Sequence, residues 1–257
     1  MAKYKEYGYD IQNGKAIIPE WETEIKEGAF VVCKELTSVE LPQWIKKIGK
    51  EAFYACENLT DVTLPEWVEE IRNGAFCGCK NLKSITLPRW VTGIGHSTFS
   101  GCSSLTSITI PESVTEIGFA AFFACSSLTS IAIPPSVTEI GYCAFSGCSS
   151  LTSISVSKDN KVYDSREDCN AIIHTESNTL ISGCKNTTIP PSVTEIGKYA
   201  FKECSSLTSI TIPPSVTKIG DWDFSYCSNL TEVRIPKGCH VDNDAFKYCP
   251  HVEIIRY

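Results

Sequence analysis

Fourteen cysteines, four histidines and 30 acidic residues are the side chains of this 257-residue chain best suited to chemistry. Their spacing argues against most of it. His96, His174, His240 and His251 are scattered, with no HExxH pair and no Cys or carboxylate at metal-ligand spacing. Cys77-Gly78-Cys79 is a lone CxC whose second member belongs to a regularly recurring cysteine, so no zinc site is expected. Asp159, Asp164, Glu167 and Asp168 cluster in sequence and are of the type that holds calcium. They miss the D-x-D-x-D-G loop pattern, so a solvated acidic loop is expected. Glu116 and Glu139 are generated by a repeat rather than paired as an acid and base. No glycine-rich phosphate loop occurs. The expectation is a non-enzymatic protein with no catalytic residue, metal or cofactor.

Binding is the chemistry left. Trp21, Trp44, Trp67 and Trp90 are 23 residues apart, each two positions after a proline, and the equivalent later positions are Ser113, Ser136, Ser192 and Ser215. A site that takes Ser in one coil and Trp in another is not a sealed core site, because a core does not absorb that change in volume. A column of exposed tryptophans is therefore expected, bordered by Glu20, Gln43, Glu66 and Arg89. Two readings stand: a protein hot spot or sugar platform, and mutual stacking that seals a corner. A second candidate surface is the row Glu40, Thr63, Thr86 and Thr109, continued by Ala132, Ser155, Thr211 and Arg234. These residues point outward from successive strands, although Thr also suits pleated surfaces for its own sake.

What must position these residues is a repeat. Phe stands at 30, 53, 76, 99, 122 and 145, then at 201, 224 and 246, with Cys three residues after each. The unit reads L-x-x-I-x-I-P-x-x-V-x-x-I-G-x-x-A-F-x-x-C-x-x, and a fixed period in this range signals a solenoid whose coils bury their apolar edges against each other. L-x-x-I-x-I should be a strand of a parallel sheet, V-x-x-I a second short strand, and A-F-x-x-C a single turn of 3₁₀ type. The nine repeat cysteines should form a buried column of free thiols. Stacked side chains run parallel about 4.8 Å apart, whereas a disulfide needs converging Cβ atoms near 3.8 Å. About ten coils would make one domain over residues 1–257, roughly 45–50 Å long.

Along the chain, residues 1–18 should form a capping hairpin about Asn13-Gly14. Between Phe145 and Phe201 the period fails, and residues 157–186 read as an inserted hairpin about Glu176-Ser177-Asn178. The insertion is either a protruding recognition element or a structural clasp. Residues 237–257 should cap the other end, with Val252, Ile255 and Tyr257 inward. The net charge of −7 argues against a nucleic-acid or anionic-membrane partner, and no apolar run approaches the ~20 residues of a membrane span. The N-terminus is too polar for a signal peptide. A monomer is expected.

The signature I-P-x-S-V-T-x-I-G-x-x-A-F-x-x-C-x-x-L, clearest from Ile110 to Leu230, resembles the BspA-like (Treponema-type) leucine-rich repeat. The resemblance covers about residues 16–257 and includes the inserted hairpin. It implies a right-handed leucine-rich-repeat solenoid, mainly β, that binds proteins. Many such proteins are microbial surface proteins that adhere to extracellular matrix or cell-surface proteins, so the resemblance implies a secreted or surface location, with the cytoplasm as the alternative. A carbohydrate-binding module using the Trp column, or a spacer within a larger surface protein, are the competing readings.

Overall fold

A computed structural model describes residues 3–257 and shows a β-solenoid with very little helix. In each coil the strand of L-x-x-I-x-I alternates inward and outward, as its sequence requires. Parallel pairing joins Lys15–Ile17, Ser38–Glu40 and Asp61–Thr63, then Ser130–Ile133 with Ser153–Val156, then Ser209–Thr211, Glu232–Ile235 and Glu253–Arg256. The coils at Ile85 and Ile108 keep the alternation but lie outside these ladders. The V-x-x-I strands form the most continuous sheet, six parallel strands from Glu24–Ile25 to Glu139–Ile140.

The A-F-x-x-C segment carries the expected i→i+3 bonds, for example Cys56 N–H to Phe53 O at 3.2 Å. It is not an isolated turn, however. Residues two before and two after most repeat phenylalanines have positive φ, among them Glu51 and Ala55 around Phe53 and Ala120 and Ala124 around Phe122. Alternating right- and left-handed residues aim every second N–H along the stack. Glu51, Phe53 and Ala55 thereby donate to Asn73, Ala75 and Cys77 of the next coil at 3.0, 2.8 and 2.7 Å. The turn segment is thus a third inter-coil hydrogen-bonded ribbon, and those bonds offset the cost of left-handed non-glycine residues. The Gly after Ile serves a different need: Gly49 has ordinary φ, but a Cβ there would lie 2.6 Å from Ile25 O of the preceding coil.

Each repeat Phe stacks on the next from Phe30 to Phe145 and again from Phe201 to Phe246, on either side of the insertion. Centroid separations are 5.3 Å for Phe30–Phe53 and Phe53–Phe76, and 5.5 Å for Phe99–Phe122 and Phe122–Phe145. Burial of each ring stabilises the fold by about 1.5–3 kcal/mol. The sequence shows no sign of what closes this column. A short helix, Lys3–Glu6, and the hairpin of Asp10–Gln12 with Lys15–Ile17 set Tyr4 and Tyr9 on Phe30, at 5.6 and 5.8 Å.

The cysteine column is buried and its thiols are free. It does more than fill space. The Sγ–H of Cys56, Cys79, Cys102, Cys125 and Cys148 donates to the Phe carbonyl of the preceding coil at 2.9–3.2 Å. Burial pushes the Cys56 and Cys148 thiols up to about 12, which keeps the proton those bonds require.

At the insertion, Tyr163–Asp164, Ala171–His174 and Thr179–Gly183 pair antiparallel in turn, and Thr179–Gly183 then pairs parallel with Glu195–Ile196. The hairpin does not protrude: Ala171, Ile172, Ile173 and Leu180 are fully buried, and they belong to the two core clusters that meet here. Gly183 permits the junction, since a Cβ there would lie 2.2 Å from the Phe201 ring. Buried Asn160 donates to Pro134 O and Val137 O and accepts from the N–H groups of Val162 and Tyr163, which stitches the insertion to the coil before it. The packing is that of a clasp. At the C-terminus the inward pattern holds only in part: Val252 and Ile255 are half-buried, and Tyr257 is exposed while its hydroxyl donates to Ile212 O at 2.8 Å. No strand among the described residues pairs with the outer edge of Glu253–Arg256.

Candidate functional site

The tryptophans sit where the chain turns from the first strand of a coil into the second. Trp21, Trp44, Trp67 and Trp90 are 80, 57, 50 and 46 % exposed, so the corner does not swallow them. In three of the four coils with Ser at this position the hydroxyl turns inward, while Ser192 is exposed and accepts from Arg166. Ser113, Ser136 and Ser215 donate to Val91 O, Val114 O and Val193 O of the preceding coil at 2.6, 2.7 and 2.6 Å. None of the four indole N–H groups makes that bond, and the bulk of each ring is turned out to solvent.

The column is not a continuous stack. Among the described residues only Trp67 and Trp90 stack, with centroids 6.4 Å apart and rings 11° from parallel. The Arg89 guanidinium lies 5.3 Å from the Trp90 centroid and pairs with Glu66 at 2.5 Å. Glu20, Gln43 and Glu66 border the rings and are exposed.

The second predicted surface is also outward. Glu40, Thr63, Thr86 and Thr109 are all exposed, as are Ala132, Ser155, Thr211 and Arg234. Glu40 is not a free charge: the Lys15 ammonium, 2.5 Å away, holds its carboxyl below the usual range. A shallow depression lined by Lys15, Glu20, Glu40, Pro42 and Gln43 joins this strand face to the rim at the first two tryptophans. The two sequence-derived surfaces therefore meet at the N-terminal end of the stack.

The residues weighed for chemistry are placed otherwise. Asp164 is taken up by Arg166: burial alone would raise its carboxyl, but Nε and Nη2 of Arg166 donate to it at 2.8 and 2.5 Å and hold it low. Arg166 also donates to Asn178 and Ser192, so the acidic loop is part of the clasp. Cys79 donates to Phe53 O. Among the described residues no three His, Cys, Asp or Glu side chains come together as a metal site. His96 Nδ1 accepts the Phe119 N–H at 2.9 Å and His240 Nε2 lies 3.0 Å from Asp242. One buried carboxylate escaped the sequence reading. Asp223 occupies the position that is Ala in most coils, is 1 % exposed, and accepts from the N–H groups of Gly220 and Tyr199 at 2.6 and 3.2 Å. Burial pushes it up to about 7.

Stacked coils that present the same side-chain positions in columns define a repeat scaffold. The BspA type leucine-rich repeat region matches the chain in six copies, over residues 7–118, 69–173 and 170–257, and the chain belongs to that family. A leucine-rich cell surface protein from Faecalibacterium prausnitzii is 31 % identical with a TM-score of 0.66, over 93 % of this chain and 78 % of its own. The pneumococcal vaccine antigen PcpA shares the fold at 18 % identity, with a TM-score of 0.67 over 91 % of this chain and 74 % of its own. A leucine-rich repeat protein from Eubacterium ventriosum does so at 20 % identity and a TM-score of 0.50, over 91 % and 70 %. No curated protein matches the chain. No helix among the described residues is long and apolar enough to cross a membrane.

Proposed function

We propose that this chain is a non-enzymatic, protein-binding module of the adhesion type, with the tryptophan rim as its principal contact and the adjoining Glu40, Thr63, Thr86 and Thr109 face as its flank. The observation that carries this reading is the exposure of four large apolar rings, 46–80 %, at a corner where the same fold is closed by a serine. Solvent-facing aromatic clusters with a polar border have the composition of interface hot spots. Equivalent contacts repeated along the stack suit an extended protein ligand, because each weak contact raises the effective concentration of the next. A surface location is proposed on the similarity to the F. prausnitzii cell surface protein, with matrix or cell-surface proteins as ligands.

Glycan binding is the second reading, and the ring geometry weighs against it. Sugar platforms need free ring faces, yet Trp67 and Trp90 face each other and Arg89 lies over Trp90. Trp21 and Trp44 remain available for such stacking. The test is to screen the full chain against matrix proteins and a glycan array beside the Trp44→Ser/Trp67→Ser double variant. Protein binding lost in the variant is the expected result. Glycan binding alone, lost in the same variant, would replace this reading with the second.

A further inference from the structure

A different edge of the coils carries a row of charges that changes character along the stack. The second strands place Glu24, Lys47, Glu70, Gly93, Glu116 and Glu139 in register. In the early coils each carboxylate has its own cation: Glu24 pairs with Lys26 at 2.8 Å, and Glu70 with Lys47 at 2.8 Å and Arg72 at 2.7 Å. Glu116 and Glu139 have no ion-pair partner among the described residues.

Three residues further along the same two coils come Phe119 and Tyr142, 50 and 61 % exposed. Together these four side chains line a groove of about 430 Å³ that ends against Ile181 and Lys198 of the inserted segment and the coil after it. Paired carboxylates beside exposed ring faces are complementary to alkylammonium and guanidinium groups, through charge and through the ring quadrupole. The molecule itself places ammonium groups on neighbouring rings: Lys198 Nζ is 4.9 Å from the Tyr199 centroid, and Lys202 Nζ 5.4 Å from Tyr199 and 5.9 Å from Phe123. His96, at the near end, has its Nδ1 committed to the Phe119 N–H, which fixes the backbone beneath the aromatic ring.

We propose that the groove between Glu116–Phe119 and Glu139–Tyr142 docks a lysine- or arginine-bearing segment of a protein partner. It is a second contact, on other coils and another edge than the tryptophan rim, and it stands independently of the rim's role. Lys198 closes one end to cations, so the segment enters from the His96 side.

The test uses the full chain and a labelled dodecapeptide of alternating Lys and Gly, with the alternating Glu and Gly peptide as control. The basic peptide should bind. Glu116→Gln/Glu139→Gln and Phe119→Ser/Tyr142→Ser should each weaken it about ten-fold, the scale of two lost cation contacts. Asp159→Asn/Glu176→Gln removes the same charge from exposed sites elsewhere and should leave the affinity unchanged, as should Trp44→Ser/Trp67→Ser. Failure of the basic peptide to bind would overturn the proposal, and so would equal weakening by Asp159→Asn/Glu176→Gln, which would show bulk charge attraction alone.

Discussion

The first four coils and the coils that follow solve one corner in two ways. In three of the later coils a serine hydroxyl, that of Ser113, Ser136 or Ser215, ties the turn to the carbonyl of the coil before it, at 2.6–2.7 Å. In the first four a tryptophan stands in its place, 46–80 % exposed. The columns behind the corner do not register the change. Phe53–Phe76 in the tryptophan region and Phe122–Phe145 beyond it stack at 5.3 and 5.5 Å, and Cys79 and Cys148 both reach a Phe carbonyl at 3.2 Å. The core is therefore indifferent to the rim, and a difference confined to the rim is a difference in what the surface can hold.

The largest effect should test that indifference directly. Phe76→Ala and Phe122→Ala each delete a fully buried ring and should each cost about 3–5 kcal/mol by chemical denaturation. Clearly unequal losses would mean that the rim feeds back on the core. A smaller and pH-dependent effect is expected at Asp223, where one coil departs from the Ala of its neighbours. Burial pushes its folded carboxyl up to about 7, above the ~3.9 of an unfolded aspartate. Stability from this group is full below the unfolded value and is lost as pH rises through the folded one. The loss between about pH 4 and 7 is at most about 4 kcal/mol. Asp223→Ala should flatten that slope in melting curves taken from pH 5 to 8, and an unchanged slope would refute the assignment.

The smallest effects concern the corner itself. Ser136→Ala should cost about 1 kcal/mol for the lost bond to Val114 O. Trp44→Ser should cost less than about 1.5 kcal/mol, because much of the indole is already in water and a hydroxyl there can take up the missing bond. A loss approaching that of Phe76→Ala would make the tryptophan a core residue and end the comparison.

The period of Phe30, Phe53 and Phe76 was enough to read columns, strand alternation and the free thiols, because stacking converts sequence spacing into spatial register. The tryptophan rim was legible for the same reason: Trp and Ser at one register position cannot both be core. The left-handed residues were not legible, since Val32, Ala55, Glu203 and Tyr226 all stand at a position that glycine fills at 78, 101 and 147. Their backbone is set by bonds to the next coil, which override local preference. The Cys–Phe carbonyl bond was equally hidden, because a small apolar role and a donor role call for the same residue. The aromatic groove had one signal, Phe119 and Tyr142 a period apart. Its far end, Ile181 and Lys198, is out of period, because the insertion brings these residues against coils with which they share no register.

By itself, then, the sequence determined the solenoid, its core columns and which coils carry exposed tryptophan, all properties of a repeat read against itself. Tertiary structure alone decided that the inserted hairpin is a buried clasp, that Tyr4 and Tyr9 close the phenylalanine column, and that Glu116 and Glu139 lack the cations their counterparts have. The first two depend on contacts between segments out of register, where periodicity carries no information, and the third on which side chains close ion pairs along the register, which packing geometry decides.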